Sequence, residues 1–174
     1  MAIIVRDVTV DDVVALMPLW EEIQADNQGL DVAVLLARIE AVDSGTFRLL
    51  TAWEGEQAVG VAMIALADVG TWAELPATQI SGLHVLSKAR HRGVGKALLN
   101  AALAIADQWG CPNLVVTVPP ASREGNRFFA RLGFAPIATK RIVDTAALRR
   151  VISTEHRSLS AARLRRRLRD SGSH

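Results

Sequence analysis

A chain of 174 residues, half of them hydrophobic, with 20 Lys and Arg against 18 Asp and Glu and a formal net charge of +2, is long enough to bury a core of its own as one domain. No uninterrupted apolar run reaches membrane-spanning length, and no basic and then apolar leader with a cleavage site opens the sequence, so neither a membrane span nor a secretion signal is expected. The single cysteine, Cys111, cannot form an internal disulfide and reads as a buried structural thiol, which makes a reducing cytoplasm the expected setting.

In chain order, residues 2–8 alternate Ile4, Arg6 and Val8 against Ile3, Val5 and Asp7 and predict a strand. Thr9 to Asp12 offers N-cap oxygens to a helix whose apolar positions are Val13, Leu16, Leu19, Trp20 and Ile23. After the polar break Asp26-Asn27-Gln28-Gly29, a second helix places Val32, Leu35, Leu36 and Ile39 on one face, and Asp43-Ser44-Gly45 ends it. Phe47 to Trp53 and Ala58 to Ala67 predict two strands joined by a hairpin through Glu54-Gly55-Glu56-Gln57. A loop over 68–77 leads to a buried strand ending at Val85.

The segment Arg90-His91-Arg92-Gly93-Val94-Gly95-Lys96 then separates that strand from a long helix carrying Val94, Ala97, Leu98, Ala101 and Ile105, which Trp109-Gly110-Cys111-Pro112 stops. Glycines at 93 and 95 let the backbone coil tightly, so that several N–H groups converge at the positive end of the helix, a geometry suited to a phosphate or pyrophosphate. Basic side chains at 88, 90, 92 and 96 reinforce it. Leu114 to Val118 predicts a further strand, cut off by Pro119-Pro120, and a last long helix follows from Ser122 to Leu132.

Arg90-x-x-Gly93-x-Gly95 resembles the acyl-CoA pyrophosphate loop of the GNAT superfamily of N-acetyltransferases. Ser122 to Leu132-Gly133-Phe134 resembles the helix that follows in that family, and residues 3–12 resemble its first strand and the start of its first helix. The resemblance runs from residue 3 to about residue 143 and is most specific over 79–134. It implies an α/β fold with a mixed central sheet, splayed central strands and flanking helices, in the order β-α-α-β-β-β-α-β-α-β. Acetyl-CoA is the implied co-substrate, with no metal. The pantetheine arm is implied to enter between the strands at 78–85 and 113–118, pairing with the main chain of Leu83 and Val85, while the Val85 N–H stabilises the thioester oxyanion. Arg90, His91, Arg92, Gly93, Val94, Gly95 and Lys96 are implied to hold the pyrophosphate, and Ser122 and Phe129 to line the cofactor on the last helix.

The side chains depart from the family pattern in two places. Phe129 stands where many members have a Tyr that protonates the departing thiolate, in a chain with no Tyr at all, and Thr117 stands where a general-base Glu is often found. Either loss removes a factor on the order of 10²–10⁴ from the rate without forbidding transfer. His84 either supplies the base through a water or points away from the thioester, because strand side chains alternate and Leu83 and Val85 flank it. Glu22, Asp26 and Glu74 offer charge to a cationic amine or are surface acids. Trp53 and Trp72 line an acceptor pocket or pack in the core and its loop. Arg123 and Arg127 face the adenine end of CoA or solvent.

Residues 140–174 hold ten Lys and Arg against three Asp and Glu, a net +7, leaving –5 on residues 1–139. This divides the chain into an acyl-CoA-binding domain over 1–143 and a basic extension over 144–174 that reads as helical, completes the sheet or contacts a partner subunit, and leaves a homodimer open. Toward the C-terminus, Arg141 to Arg150 and Arg157 to Arg166 read as two short helices, each opened by Asp or Ser, at an offset of 16 residues. No aromatic residue is interleaved with its arginines, which argues against nucleic acid. The expected activity is direct transfer of acetyl to a primary amine on a small molecule or peptide. The alternative is an acyl-CoA-binding module of the same fold that has lost efficient catalysis.

Overall fold

The computed structural model describes residues 2–26, 32–40, 45–70 and 74–154. The chain divides into two compact units, residues 1–128 and 129–174. The first holds a five-stranded mixed sheet in the order β1-β2-β3-β4-β5, with β1 Ile3–Asp7, β2 Phe47–Glu54, β3 Gln57–Asp68, β4 Pro76–Val85 and β5 Asn113–Val116. The first four strands are antiparallel neighbours, and β5 runs parallel to β4. A parallel pair needs a crossover, which the helix α3, Val94–Gln108, supplies. The hairpin between β2 and β3 turns at Gly55 with φ +59, at the predicted position.

Helix α1 covers Val13–Asp26 and α2 covers Val32–Glu40. A short 3-10 turn over Val10–Asp12 leads into α1, and Thr9 and Asp12 form the capping box there. The Asp12 carboxylate also accepts both Arg6 guanidinium nitrogens, at 2.6 and 2.7 Å. The Arg6 fork holds the buried Asp12 carboxyl down to about 2, against the opposing effect of burial. Helix α3 packs across β1 to β4, with Val94, Leu98, Leu99, Ala102, Ile105 and Ala106 buried. Its tightest contact is at Gly60 of β3, where a Cβ would lie 2.7 Å from Val94 Cγ1, 3.2 Å from Leu98 Cδ1 and 3.3 Å from the His84 carbonyl. Cys111 is buried and free.

Helix α4, Arg123–Arg131, runs from the first unit into the second. In the second unit Phe129 is buried and meets Phe134 edge to face at 5.3 Å. The strand expected after α4 is not formed: residues 134–144 have no ladder partner among the described residues. Pro136 has no N–H to give a ladder, and the stretch is exposed, Ile142 completely so, so pairing there is not reinforced by burial. A helix, α5, follows over residues 145–154, opened as predicted by Asp144, whose carboxylate accepts the Ala147 N–H at 2.8 Å. The second predicted short helix, Arg157 to Arg166, lies outside the described residues.

Candidate active site

The last two strands of the sheet, β4 and the edge strand β5, part company beyond their first four residue pairs. β4 and β5 pair from Ala77 opposite Asn113 to Ile80 opposite Val116, and the Thr117 N–H still reaches the Ile80 carbonyl at 3.0 Å. No further ladder contact joins them among the described residues, so β5 ends at Val116, two residues before the predicted limit. β4 continues alone on that side through Ser81, Gly82, Leu83, His84 and Val85, while remaining paired to β3 on the other.

A bulge sits at the parting. Ser81 is opposite Met63 and His84 is opposite Val61, so Gly82 and Leu83 together face the single residue Ala62. Gly82 takes φ +58 there, and a Cβ on it would lie 2.6 Å from Met63 Cε. The positive φ calls for glycine, while the Met63 methyl, at the end of a flexible side chain, could move aside. Beyond the bulge, the Leu86 N–H bonds the Val59 carbonyl at 3.0 Å. Main-chain groups of successive strand residues point to opposite edges, so the N–H and carbonyl of Val85 are turned away from β3, toward the gap. The Val85 carbonyl accepts the Arg90 Nε at 3.3 Å.

The basic segment follows directly. Residues Ser87–Ala89 form a 3-10 turn, His91 takes the left-handed φ of +61, and Gly93 caps α3 with φ +92. The amides of Val94, Gly95 and Lys96 then point out of the first turn of α3 with no intrahelical acceptor, as every helix start requires. Gly95 allows α4 to approach: a Cβ on it would lie 3.2 Å from the Phe128 ring. The basic side chains are not equivalent. Arg92 is tied to Glu54 at 2.9 Å, and Arg90 and His91 both reach Glu124, at 3.1 and 3.4 Å. Lys88 and Lys96 are exposed with no acidic partner among the described residues.

On the other face of β4, His84 meets α1. Its Nε2 lies 3.2 Å from Glu22 Oε2, and the Ser87 N–H and hydroxyl donate to the same oxygen at 3.1 and 3.0 Å. Partial burial works to raise the Glu22 carboxyl, but the Ser87 N–H, the Ser87 hydroxyl and His84 outweigh it and hold the group below its usual value. Sequence reading weighed Glu22 and His84 separately. It could not join them, because they are 62 residues apart and no local periodicity relates them. Glu124 was missed as well, although its place in the first turn of the last helix marked it as an acid facing a positive helix end.

The other candidates fall as follows. Ser122 caps α4, its hydroxyl accepting the Gly125 N–H at 3.2 Å. Thr117 is engaged by the Gln79 amide at 3.2 Å, and Arg123 and Arg127 are exposed on α4. Trp53 lies under the Arg6 guanidinium, 4.7 Å from ring centre to Cζ, in the sheet rather than in a pocket. Glu74 is exposed. Trp72 and the Asp26 side chain lie outside what the structure describes.

A family model described as "Acetyltransferase (GNAT) family" matches residues 15–134. The chain belongs to the GNAT acetyltransferase family. No curated protein matches the sequence at a significant level. Among solved structures, a transcriptional regulator from Bacillus halodurans C-125 is similar at 23% identity and TM-score 0.68, over 82% of this chain and 99% of that one. AAC(6')-Iy, solved with the bisubstrate analog CoA-S-monomethyl-acetylneamine, is similar at 20% identity and TM-score 0.69, over 83% of this chain and 97% of that one. A ribosomal-protein-alanine N-acetyltransferase from Brucella melitensis biovar Abortus 2308 is similar at 17% identity and TM-score 0.65, over 82% and 99%. At these identities the likeness establishes a shared fold: a mixed five-stranded sheet flanked by helices.

Proposed function

We propose that this chain is an acetyl-CoA-dependent N-acetyltransferase that moves acetyl directly to a primary amine, and that it works in the cytoplasm. The observation that carries the reading is the parting of β4 from β5 beyond Ile80 and Val116, with the Val85 peptide turned into the gap and the Gly93–Gly95 helix start next along the chain. Amide groups of a pantetheine arm can take the main-chain partners that β5 no longer provides to Leu83 and Val85. The pyrophosphate fits the N–H groups of Val94, Gly95 and Lys96, with Lys88 and Lys96 as cations that have no acidic partner among the described residues and Arg90, His91 and Arg92 available by exchange of partners.

The chemistry then needs one main-chain donor and one place for protons to go. When an amine attacks the thioester carbon, negative charge grows on the carbonyl oxygen, and the Val85 N–H faces that charge; one preorganised donor of this kind is worth roughly 3–4 kcal/mol. The imidazole of the preceding residue, His84, takes the proton the amine must shed. The chain has no Tyr hydroxyl to protonate the departing thiolate, so water returns that proton. Thiolate is a tolerable leaving group, which is why the loss lowers the rate without preventing transfer.

Two measurements test this. Acetyl-CoA at millimolar concentration is expected to raise the melting temperature of the full chain. Free CoA is expected to be released from acetyl-CoA in the presence of at least one acceptor among spermidine, neamine and a peptide with an N-terminal alanine. The last two probe acceptor chemistries carried by the structural relatives. No thermal shift with CoA or acetyl-CoA would refute the reading, while tight binding without turnover of any amine would favour a binding module.

A further inference from the structure

We infer that Glu22 is the positioning residue for the proton-accepting imidazole: its carboxylate on α1 fixes His84 as the Nε2–H tautomer and leaves Nδ1 as the bare nitrogen that takes the proton of the acceptor amine. This deepens the N-acetyltransferase reading and rests on it.

The tautomer follows from the hydrogen bonds. Glu22 Oε2 already accepts the Ser87 N–H and hydroxyl. An ionised carboxylate can only accept, so the 3.2 Å contact to His84 requires the proton on Nε2. The two donors from Ser87 and the contact with His84 favour ionised Glu22, in keeping with its lowered carboxyl. In neutral imidazole the other nitrogen is then an acceptor, and Nδ1 has no hydrogen-bond partner among the described residues. His84 keeps 15% of its side-chain surface, enough for contact with a substrate or water. Ser87 gives the arrangement stiffness, since one residue clamps the carboxylate with both main chain and side chain at the start of a 3-10 turn. Imidazole and oxyanion donor are therefore consecutive residues on β4. One is oriented by α1, and the other is aimed into the gap by the strand's own alternation.

The proton balance is complete without a further reactant. A primary ammonium loses one proton to His84 Nδ1, directly or through a water, and becomes the amine. Its nitrogen lone pair forms the N–C bond to the thioester carbon. Collapse breaks the C–S bond, the sulfur keeps that electron pair, and the second nitrogen proton passes by water to the thiolate, giving the amide and CoA. His84 returns its proton to solvent.

Glu22→Gln preserves size and can still meet His84, but its amide offers either a donor or an acceptor and no longer dictates the tautomer. With the best acceptor of the panel, kcat for Glu22→Gln is expected to fall about 10-fold with the acetyl-CoA Kd unchanged. In a His84→Ala background the same substitution is expected to cost less than about 2-fold, because residues acting as a unit are not additive. Imidazole nitrogen NMR of the full-length protein should show Nε2 protonated and Nδ1 bare in the unsubstituted chain, and a mixed signal in Glu22→Gln. An equal loss in both backgrounds would overturn the inference and make Glu22 a direct binder of a cationic acceptor. An unchanged rate in Glu22→Gln, with the parent chain active, would also overturn it while leaving the N-acetyltransferase reading intact. A parent chain that neither binds acetyl-CoA nor releases CoA would remove both.

Discussion

Replacing Gly60 by Ala tests how the sheet holds the start of α3, and through it the amides proposed to bind the pyrophosphate. The added methyl would lie 2.7 Å from Val94 Cγ1, about 1 Å inside normal carbon contact. Leu98 Cδ1 at 3.2 Å and the His84 carbonyl at 3.3 Å close the other directions. Val94 and Leu98 are fully buried, and a β-branched side chain on a helix has essentially one rotamer, so the strain cannot relax by a side-chain flip. Overpacking of this kind costs about 1–3 kcal/mol, and a domain of this size loses about 2–4 °C per kcal/mol, so the melting temperature should fall by about 2–12 °C. Because Val94 is the first residue of α3, any relief by lifting the helix moves the Val94, Gly95 and Lys96 amides and should also shrink the thermal shift produced by acetyl-CoA. Val94→Ala alone costs about 2 kcal/mol for the buried methyls removed. Gly60→Ala with Val94→Ala should recover at least about 1 kcal/mol relative to the sum of the single changes, since the new methyl enters the space just vacated. Denaturant melts of the four proteins give the cycle. Strict additivity would refute the contact, and an unaltered acetyl-CoA shift in Gly60→Ala would refute the link from β3 to the phosphate loop.

Gly93→Asp should abolish the acetyl-CoA thermal shift, because a carboxylate at φ +92 at the helix start adds backbone strain and repels a pyrophosphate; a shift of unchanged size, read in the same melt, would contradict the placement of that group. Phe129→Tyr should preserve folding and leave CoA release equal or higher if the resemblance to the family aligns this position correctly with its thiolate acid; a large loss of activity would show the position to be misassigned. The Asp12 carboxyl is held at about 2 by Arg6, so folded and unfolded chains bind different numbers of protons between about pH 4 and 2. The corresponding stability, on the order of 2 kcal/mol, is fully present above the unfolded value and lost as pH falls through that window. Arg6→Ala, followed by acid titration of the melt, should flatten the loss.

The fold was legible wherever a local signal fixed it. Period-two alternation marked β1, hydrophobic runs bounded by turn signals marked β2 to β4, Gly55 marked the hairpin, and the glycines at 93 and 95 marked the turn into α3. The bulge at Gly82 was also signalled, since an isolated glycine inside a strand pattern commonly marks one, yet an apolar run hides it unless the partner register is known. The contact of Glu22 with His84 was not legible, because it depends on where α1 crosses the sheet. The sixth strand, expected from the order of sequence signals and from the resemblance, is not formed among the described residues, with Pro136 and an exposed stretch arguing locally against it. The basic residues around Gly93 and Gly95 could be picked out by composition, but not which of their cations are already paired: Arg90, His91 and Arg92 have acidic partners, and Lys88 and Lys96 have none among the described residues.

The doubled residue at positions 82 and 83 resets the parity of β4. Without it, Ser81 and His84, three positions apart, would project to opposite sides of the sheet; with it, they pair with Met63 and Val61, which share a side. The upstream half of the strand can therefore keep the phase that buries Ile80, while the downstream half runs in the phase that gives His84 to α1 and turns the Val85 peptide into the gap. Smoothing the bulge at constant length would exchange those assignments without altering any side chain: Leu83 would pair with Val61 and His84 with Gly60, so the imidazole would leave the side of α1 and the Val85 peptide would turn toward β3. Deleting one of the two doubled residues would instead remove the bulge and keep Ser81 opposite Met63 and His84 opposite Val61. What fixes the phase is thus the pairing of two residues against one, which Gly82 holds with its φ of +58, and a slip of register there inverts in a single step what substitution erodes by degrees.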